Sequence, residues 1–249
     1  MKLPEVTLSE HDGVRYLHLG TPWVQGAFRP SRPKYIELDY IQRMLSALLW
    51  LPTEWLQGEP QGHAVQLGLG AATLTRFTFK DLGWRTTAVE LNPQVVSACR
   101  AYFALPANQE GLQVVLADAG DWVQQHKNAG TAQMLHVDLY DHEAAAPVLD
   151  DEAFYAHCRK VLAPGGVMAV NLFGRHASFD RSLSHVVSAF GADQVWRLQA
   201  TREGNTVLVA GKGVRVPDRD ALTLRADWIE ARFKPQGLPA KKWLRMVRG

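Results

Sequence analysis

Four places along this 249-residue chain carry residue types suited to holding a nucleotide, and each follows a segment that reads as a β-strand. The first is Gly68-Leu69-Gly70-Ala71-Ala72-Thr73. Small residues there let the backbone pass close to a ligand, and the helix that follows offers its positive end. Thr73 stands where a full Gly-x-Gly-x-x-Gly places its third glycine, which disfavours a dinucleotide. About 20 residues further on, the distance at which an acid meets a ribose diol, Glu90 lies in Val89-Glu90-Leu91-Asn92-Pro93. The same acid would also complement the dipole of a helix starting at Pro93. Asp118, in Ala117-Asp118-Ala119, either caps a helix or accepts from an adenine amino group. Asp138 opens Asp138-Leu139-Tyr140-Asp141, where a carboxylate can order a cationic substrate and serve as a general base. Ligands of open α/β sheets sit outside the carboxyl ends of the strands, so these four strand ends together define one crevice.

From Asp138 to Glu152 there are six acids (Asp138, Asp141, Glu143, Asp150, Asp151, Glu152) and no Lys or Arg, which suits a polycationic acceptor or a solvated acidic loop. Other reactive types are less pointed. The nine histidines are dispersed; His136 reads as a packed strand residue, and His142 is the one nearest the proposed site. The two cysteines, Cys99 and Cys158, lie in helical segments, which excludes a cysteine metal centre and fits inert thiols in a reducing compartment. No metal is expected. Most of the eight tryptophans pack sheet against helix, while Trp23 and Tyr140 are placed to stack on a substrate.

The elements that must position these residues follow from periodicity. Strands are expected at 64–67, 86–89, 113–116, 134–137 and 167–171, alternating with helices over 72–82, 93–104, 119–128, 151–162 and 177–190. This is the pattern of a parallel sheet with crossover helices. Two last strands, 194–200 and 206–210, are joined by five residues and should pair antiparallel. Ahead of this core, Val14–Leu19 and Trp23–Phe28 read as a small β appendage, Tyr35–Leu51 as a helix stopped by Pro52, and 57–62 as a linker. Beyond Gly213 a helix over about 218–233 leads to a tail with five basic residues and no acid. The organisation expected is an appendage and helix over 1–60, a nucleotide-binding core over 61–213, and a helix with tail over 214–249.

Composition narrows the class. At 47% apolar the chain can build one sizeable core. A formal charge of only +2, with scattered basic residues, argues against a nucleic-acid partner. No stretch approaches the roughly 18 consecutive apolar residues that a membrane span needs, and no apolar leader opens the chain, so the cytoplasm is the default address.

The series Gly68-x-Gly70, Glu90, Asp118, Asp138-Leu-Tyr-Asp141, Phe154-Tyr155 and Leu162-Ala-Pro-Gly-Gly166 resembles the spermidine synthase-like group of polyamine aminopropyltransferases. The resemblance spans about residues 14–213 and is strongest over 64–172. It implies a Rossmann-like class I S-adenosylmethionine-dependent methyltransferase fold: a mostly parallel seven-stranded α/β sheet with an antiparallel last strand. It further implies a co-substrate, S-adenosylmethionine or its decarboxylated form, held by Gly68, Gly70, Glu90, Leu91, Asp118, Ala119 and Asp138. Asp138 and Asp141 match the two acids of the family's Asp-x-x-Asp, the first of which takes the proton from the attacking amine. Gln25, Tyr35, Tyr140 and Asp141 would line the site of an amine or polyamine substrate, and such proteins are often homodimers. The chain departs from the group at Ala71, where an acid that binds the amino group of the decarboxylated donor is usual. It departs also at Tyr35-Ile36-Glu37, at Ser31-Arg32-Pro33 and at Ala200–Gly204. Besides aminopropyl transfer, two readings therefore stand: a methyltransferase using the complete donor, which Ala71 favours, and a silent binder of nucleotide or polyamine.

Overall fold

The computed structural model describes residues 3–57, 62–139, 149–173 and 177–248. Its centre is a sheet of eight strands in the order β11-β9-β10-β8-β7-β4-β5-β6. These are β4 (His63–Leu67), β5 (Arg85–Glu90), β6 (Leu112–Leu116), β7 (Ala132–Val137), β8 (Leu162–Phe173), β9 (Val195–Leu198), β10 (Asn205–Gly211) and β11 (Val247–Arg248). The first five are mutually parallel, while β10 runs antiparallel between β8 and β9. The seven expected strands are thus all present, and the β9–β10 pair is antiparallel as its short connection requires. The eighth, β11, is a two-residue addition that pairs Val247 with Leu198.

Alternation along each strand divides the core. Val65, Leu67, Leu135 and Val137 face α5 (Ala119–Gln124), α6 (Glu152–Val161) and α7 (Ala177–Phe190). Ala64 and Met134 face the other way, into a cluster with α1 (Asp39–Met44), α8 (Arg219–Arg232) and α9 (Ala240–Met246). A third cluster joins α4 (Pro93–Tyr102) to the N-terminal sheet. That sheet consists of β1 (Val6–His11), β2 (Val14–Leu19) and β3 (Gly26–Phe28), paired antiparallel.

Local differences from the periodicity have physical causes. The hairpin turn at Asp12-Gly13, with both φ angles positive, adds β1 to the expected appendage, whereas only Gly26–Phe28 of the expected 23–28 strand pairs. The helix expected over 35–51 narrows to α1 followed by a 3₁₀ turn over Leu45–Leu49; all five residues of that turn are buried, so core packing outweighs regular α geometry there. The linker expected at 57–62 begins as the end of α2 (Thr53–Gln57), and 58–61 fall outside the described residues; the helix expected over 72–82 begins as α3 (Thr73–Arg76). The expected basic tail is folded: Ala240, Trp243 and Met246, one face of α9, are buried.

Candidate active site

The strand order reverses at β4, which lies between β5 and β7, and a crevice opens there beyond the carboxyl ends. Leu67 runs into Gly68, whose φ is +85°; a Cβ added there would lie 2.2 Å from the backbone oxygen of Asp138, so only glycine lets the ends of β4 and β7 come together. Gly70, with φ +50°, passes Gln25, the residue just ahead of β3, in the same way, since an added Cβ would meet the Gln25 carbonyl at 2.9 Å.

Glu90, ending β5, holds this turn. Its Oε2 accepts from the Leu69 amide at 2.9 Å and its Oε1 from the Asn92 amide at 2.8 Å. Asn92 in turn caps α4 by accepting from the Gln94 amide at 2.9 Å, and its Nδ2 donates to the Pro4 carbonyl. Burial raises the Glu90 carboxyl above its ordinary range, opposed by the amides of Asn92, Leu69 and Leu91. Asp118 caps α5 through Oδ1, which accepts from the Asp121 amide at 3.1 Å. Its helix-capping and ligand-binding readings are compatible, because Oδ2 has no protein partner among the described residues.

Asp138 follows β7, and both of its oxygens are engaged. Asn171 Nδ2, from β8, donates to Oδ1 at 3.0 Å, and Tyr40 Oη, from α1, donates to Oδ2 at 3.2 Å. Burial raises this carboxyl too, against the lowering pull of Asn171 and Tyr40. Periodicity placed Tyr40 in the apolar stripe of a helix and Asn171 at the end of a strand, so neither carried a signal of this role.

Gly68, Gly70, Glu90, Leu91, Asp118, Ala119, Asp138 and Gln25 all line one cavity. Leu3, Pro4, Leu17 and Leu19 supply an apolar wall from the N-terminal segment, so the appendage completes the crevice. Gln25 Nε2 is buried with no hydrogen-bond partner among the described residues, an amide donor left for a ligand. Tyr35 stands elsewhere: its ring packs under the Arg32 guanidinium, 4.3 Å away, and against Gly237, and it is not among the residues that line this cavity. Ala71 is also turned away, being 3% exposed and packed against Gly26. Tyr140, Asp141 and His142 lie outside the described residues.

The spermine/spermidine synthase domain model matches residues 69–188. A polyamine aminopropyltransferase of Chromobacterium violaceum is 30% identical over 233 residues, covering 93% of this chain and 85% of that protein. The chain belongs to the spermine/spermidine synthase family. A polyamine aminopropyltransferase of Neisseria meningitidis is 31% identical over 226 residues, 90% of this chain and 82% of that protein. Among solved structures, a probable spermidine synthase from Corynebacterium glutamicum superposes with a TM-score of 0.73 at 18% identity, covering 94% of this chain and 85% of that one. Human methyltransferase-like protein 13 in complex with SAH gives 0.69 at 19%, covering 80% and 93%. These two likenesses establish the class I methyltransferase fold. Membership in the synthase family makes the chain a transferase.

Proposed function

We propose that the chain transfers an aminopropyl group from decarboxylated S-adenosylmethionine to an amine of a polyamine-class acceptor. The observation that carries this reading is the charge of the cavity: Glu90, Asp118 and Asp138 line it, and no Lys, Arg or His is among its described lining residues. Such a wall favours cations and offers no partner to the α-carboxylate of the complete donor. The methyltransferase reading leaned on Ala71, but that side chain is buried against Gly26 and is not among the described lining residues, so it sets no charge there. Glu90 and Asp118 fit the ribose hydroxyls and the adenine amine, since each is a carboxylate already fixed by backbone amides.

In the reaction the acceptor nitrogen attacks the carbon bonded to the sulfonium sulfur. As the new N–C bond forms, the C–S bond breaks and its electron pair returns to sulfur. The nitrogen then carries a positive charge and releases its proton to Asp138. Asp138 also orders the amine before attack, and Tyr40 and Asn171 hold its two oxygens. A base raised by burial works nearer neutral pH than an exposed aspartate.

Incubation with decarboxylated S-adenosylmethionine and putrescine or longer polyamines is expected to release methylthioadenosine. Release with none of these amines would overturn the reading, and retained methylthioadenosine affinity without turnover would favour the silent binder. Asp138→Asn is expected to lower kcat about 10²–10⁴-fold while methylthioadenosine affinity, read by calorimetry, persists.

A further inference from the structure

From the Asp138 carboxylate a file of hydrogen-bonded side chains runs behind the described cavity wall to the connection between β9 and β10. Asn171 Nδ2 donates to Asp138 Oδ1 at 3.0 Å, and Asn171 Oδ1 accepts from Asn205 Nδ2 at 3.1 Å. Asn205 Oδ1 faces the Thr201 hydroxyl at 3.5 Å, and the Asn205 amide donates to that hydroxyl at 3.1 Å. The register places Asn205 opposite Phe173 and Val207 opposite Asn171, so the two asparagines are diagonal neighbours across an antiparallel pair.

The polarity of this file is forced. An ionised carboxylate only accepts, so Asn171 must turn its NH₂ towards Asp138; its oxygen then points away and takes a donor, which the NH₂ end of Asn205 supplies. Neither Asn171 nor Asn205 is among the described residues lining the cavity.

We propose that Asn205 is a positioning residue for the transfer reaction: by donating to Asn171 Oδ1 it keeps the Asn171 amide facing Asp138 and so fixes the proton acceptor. The inference rests on the reading of Asp138 as that acceptor. Removing the Asn205 donor takes away a hydrogen bond that favours this sense of the Asn171 amide over the one with its oxygen towards the carboxylate. A carboxylate at position 205 does more, because it accepts the Asn171 NH₂ and holds the amide in the reversed sense. Among the described residues, burial raises the Asp138 carboxyl, and the groups that lower it are Asn171 from β8 and Tyr40 from α1. His136, two residues earlier and within β7, stays neutral with its pKa pushed down to about 3 by burial, and Glu90 and Asp118 share the cavity. Arg202 and Glu203, in the connection itself, are exposed.

The test is the pH dependence of kcat/KM with decarboxylated S-adenosylmethionine and putrescine, for the wild type, Asn205→Ala and Asn205→Asp, alongside methylthioadenosine affinity. In Asn205→Ala the acid limb is expected to move up by about half a pH unit, and in Asn205→Asp by about one unit or more, with nucleotide affinity unchanged. A merely structural role would lower rates without moving the limb. Should Asn205→Asp fail to fold, Asn205→Ala alone carries the test. A wild type that turns over, with variants whose acid limb stays in place, overturns this inference; a wild type without turnover on any amine overturns the functional reading instead.

Discussion

Glu90 and Asp138 are both carboxylates at strand ends, yet their surroundings give them different work. Glu90 is bound by two backbone amides that belong to the fold, so its charge organises the glycine turn as well as facing the cavity. Asp138 is held by two side chains, Tyr40 and Asn171, whose removal leaves the backbone intact. Tyr40→Phe deletes one donor to the carboxylate. The pKa of Asp138, already raised by burial, then rises further because a hydrogen bond to the charged form is lost. A general base acts when ionised, so activity grows as pH rises through that pKa, and the acid limb of the rate profile is expected to move to higher pH. At neutral pH kcat should fall about tenfold, with the denaturation midpoint little changed. A limb that stays in place in steady-state measurements would remove Tyr40 from the proton-transfer apparatus. Asp138 was legible in the sequence from its place after a strand and from the acid three positions on. Tyr40 was not, because an aromatic at helical spacing reads as core.

At the scale of elements, the site depends on how closely β4 and β7 approach. Gly68→Ala forces a Cβ to within 2.2 Å of the Asp138 carbonyl in a backbone conformation, φ +85°, that side chains rarely adopt. The carbonyl belongs to the backbone that carries Asp138, and it is tied to β4 because the Asp138 amide donates to Leu67 O. It therefore cannot yield without moving the site. Urea denaturation is expected to show a loss of about 3 kcal/mol or more, with loss of methylthioadenosine binding. Gly130→Ala is the control: φ is +69° but nothing lies within 4 Å of the added carbon, so only the conformational cost of about 1 kcal/mol remains. Equal losses in the two variants would mean that the β4–β7 approach is not tight. The glycine turn was visible in the sequence as a strand followed by small residues. The retreat of the 35–51 helix into a 3₁₀ turn was not, since an apolar repeat records which residues are buried and not how the backbone between them is bonded.

Across the whole molecule, residues from both ends of the chain share a core with the sheet: Met44 and Leu48 pack in one cluster with Met134, Ile229 and Trp243. In the sheet itself, His136 is fully buried, and neither ring nitrogen has a partner among the described residues. Burial pushes its pKa down to about 3, and that of His63 down to about 4. Histidines depressed on folding contribute stability that is present above the unfolded pKa, near 6.5, and is lost as pH falls below it, because the unfolded chain takes up protons that the folded chain refuses. The raised carboxyls of Glu90 and Asp138 act with the opposite sign, favouring the fold at low pH and giving up that contribution as pH rises through their folded pKa values. The share of His136 is therefore read as a difference between variants. His136→Leu is expected to shrink the stability lost between pH 7 and pH 5 by roughly 2 kcal/mol, measured from denaturant midpoints. An unchanged loss would mean that the ring is already charged in the native state.

The sequence by itself determined the alternation of strands and helices, the antiparallel closing pair, and the crevice with its glycine turn and acidic strand ends. All of these are written in local periodicity and in the residues that terminate each strand. Tertiary structure alone decided what surrounds Asp138: Tyr40 comes from 98 positions away and Asn171 from 33. It also brought the N-terminal strands over the crevice and left Tyr35 outside its described lining. Contacts of that span depend on sheet register and on how separate elements dock, and neither leaves a repeating pattern in the chain.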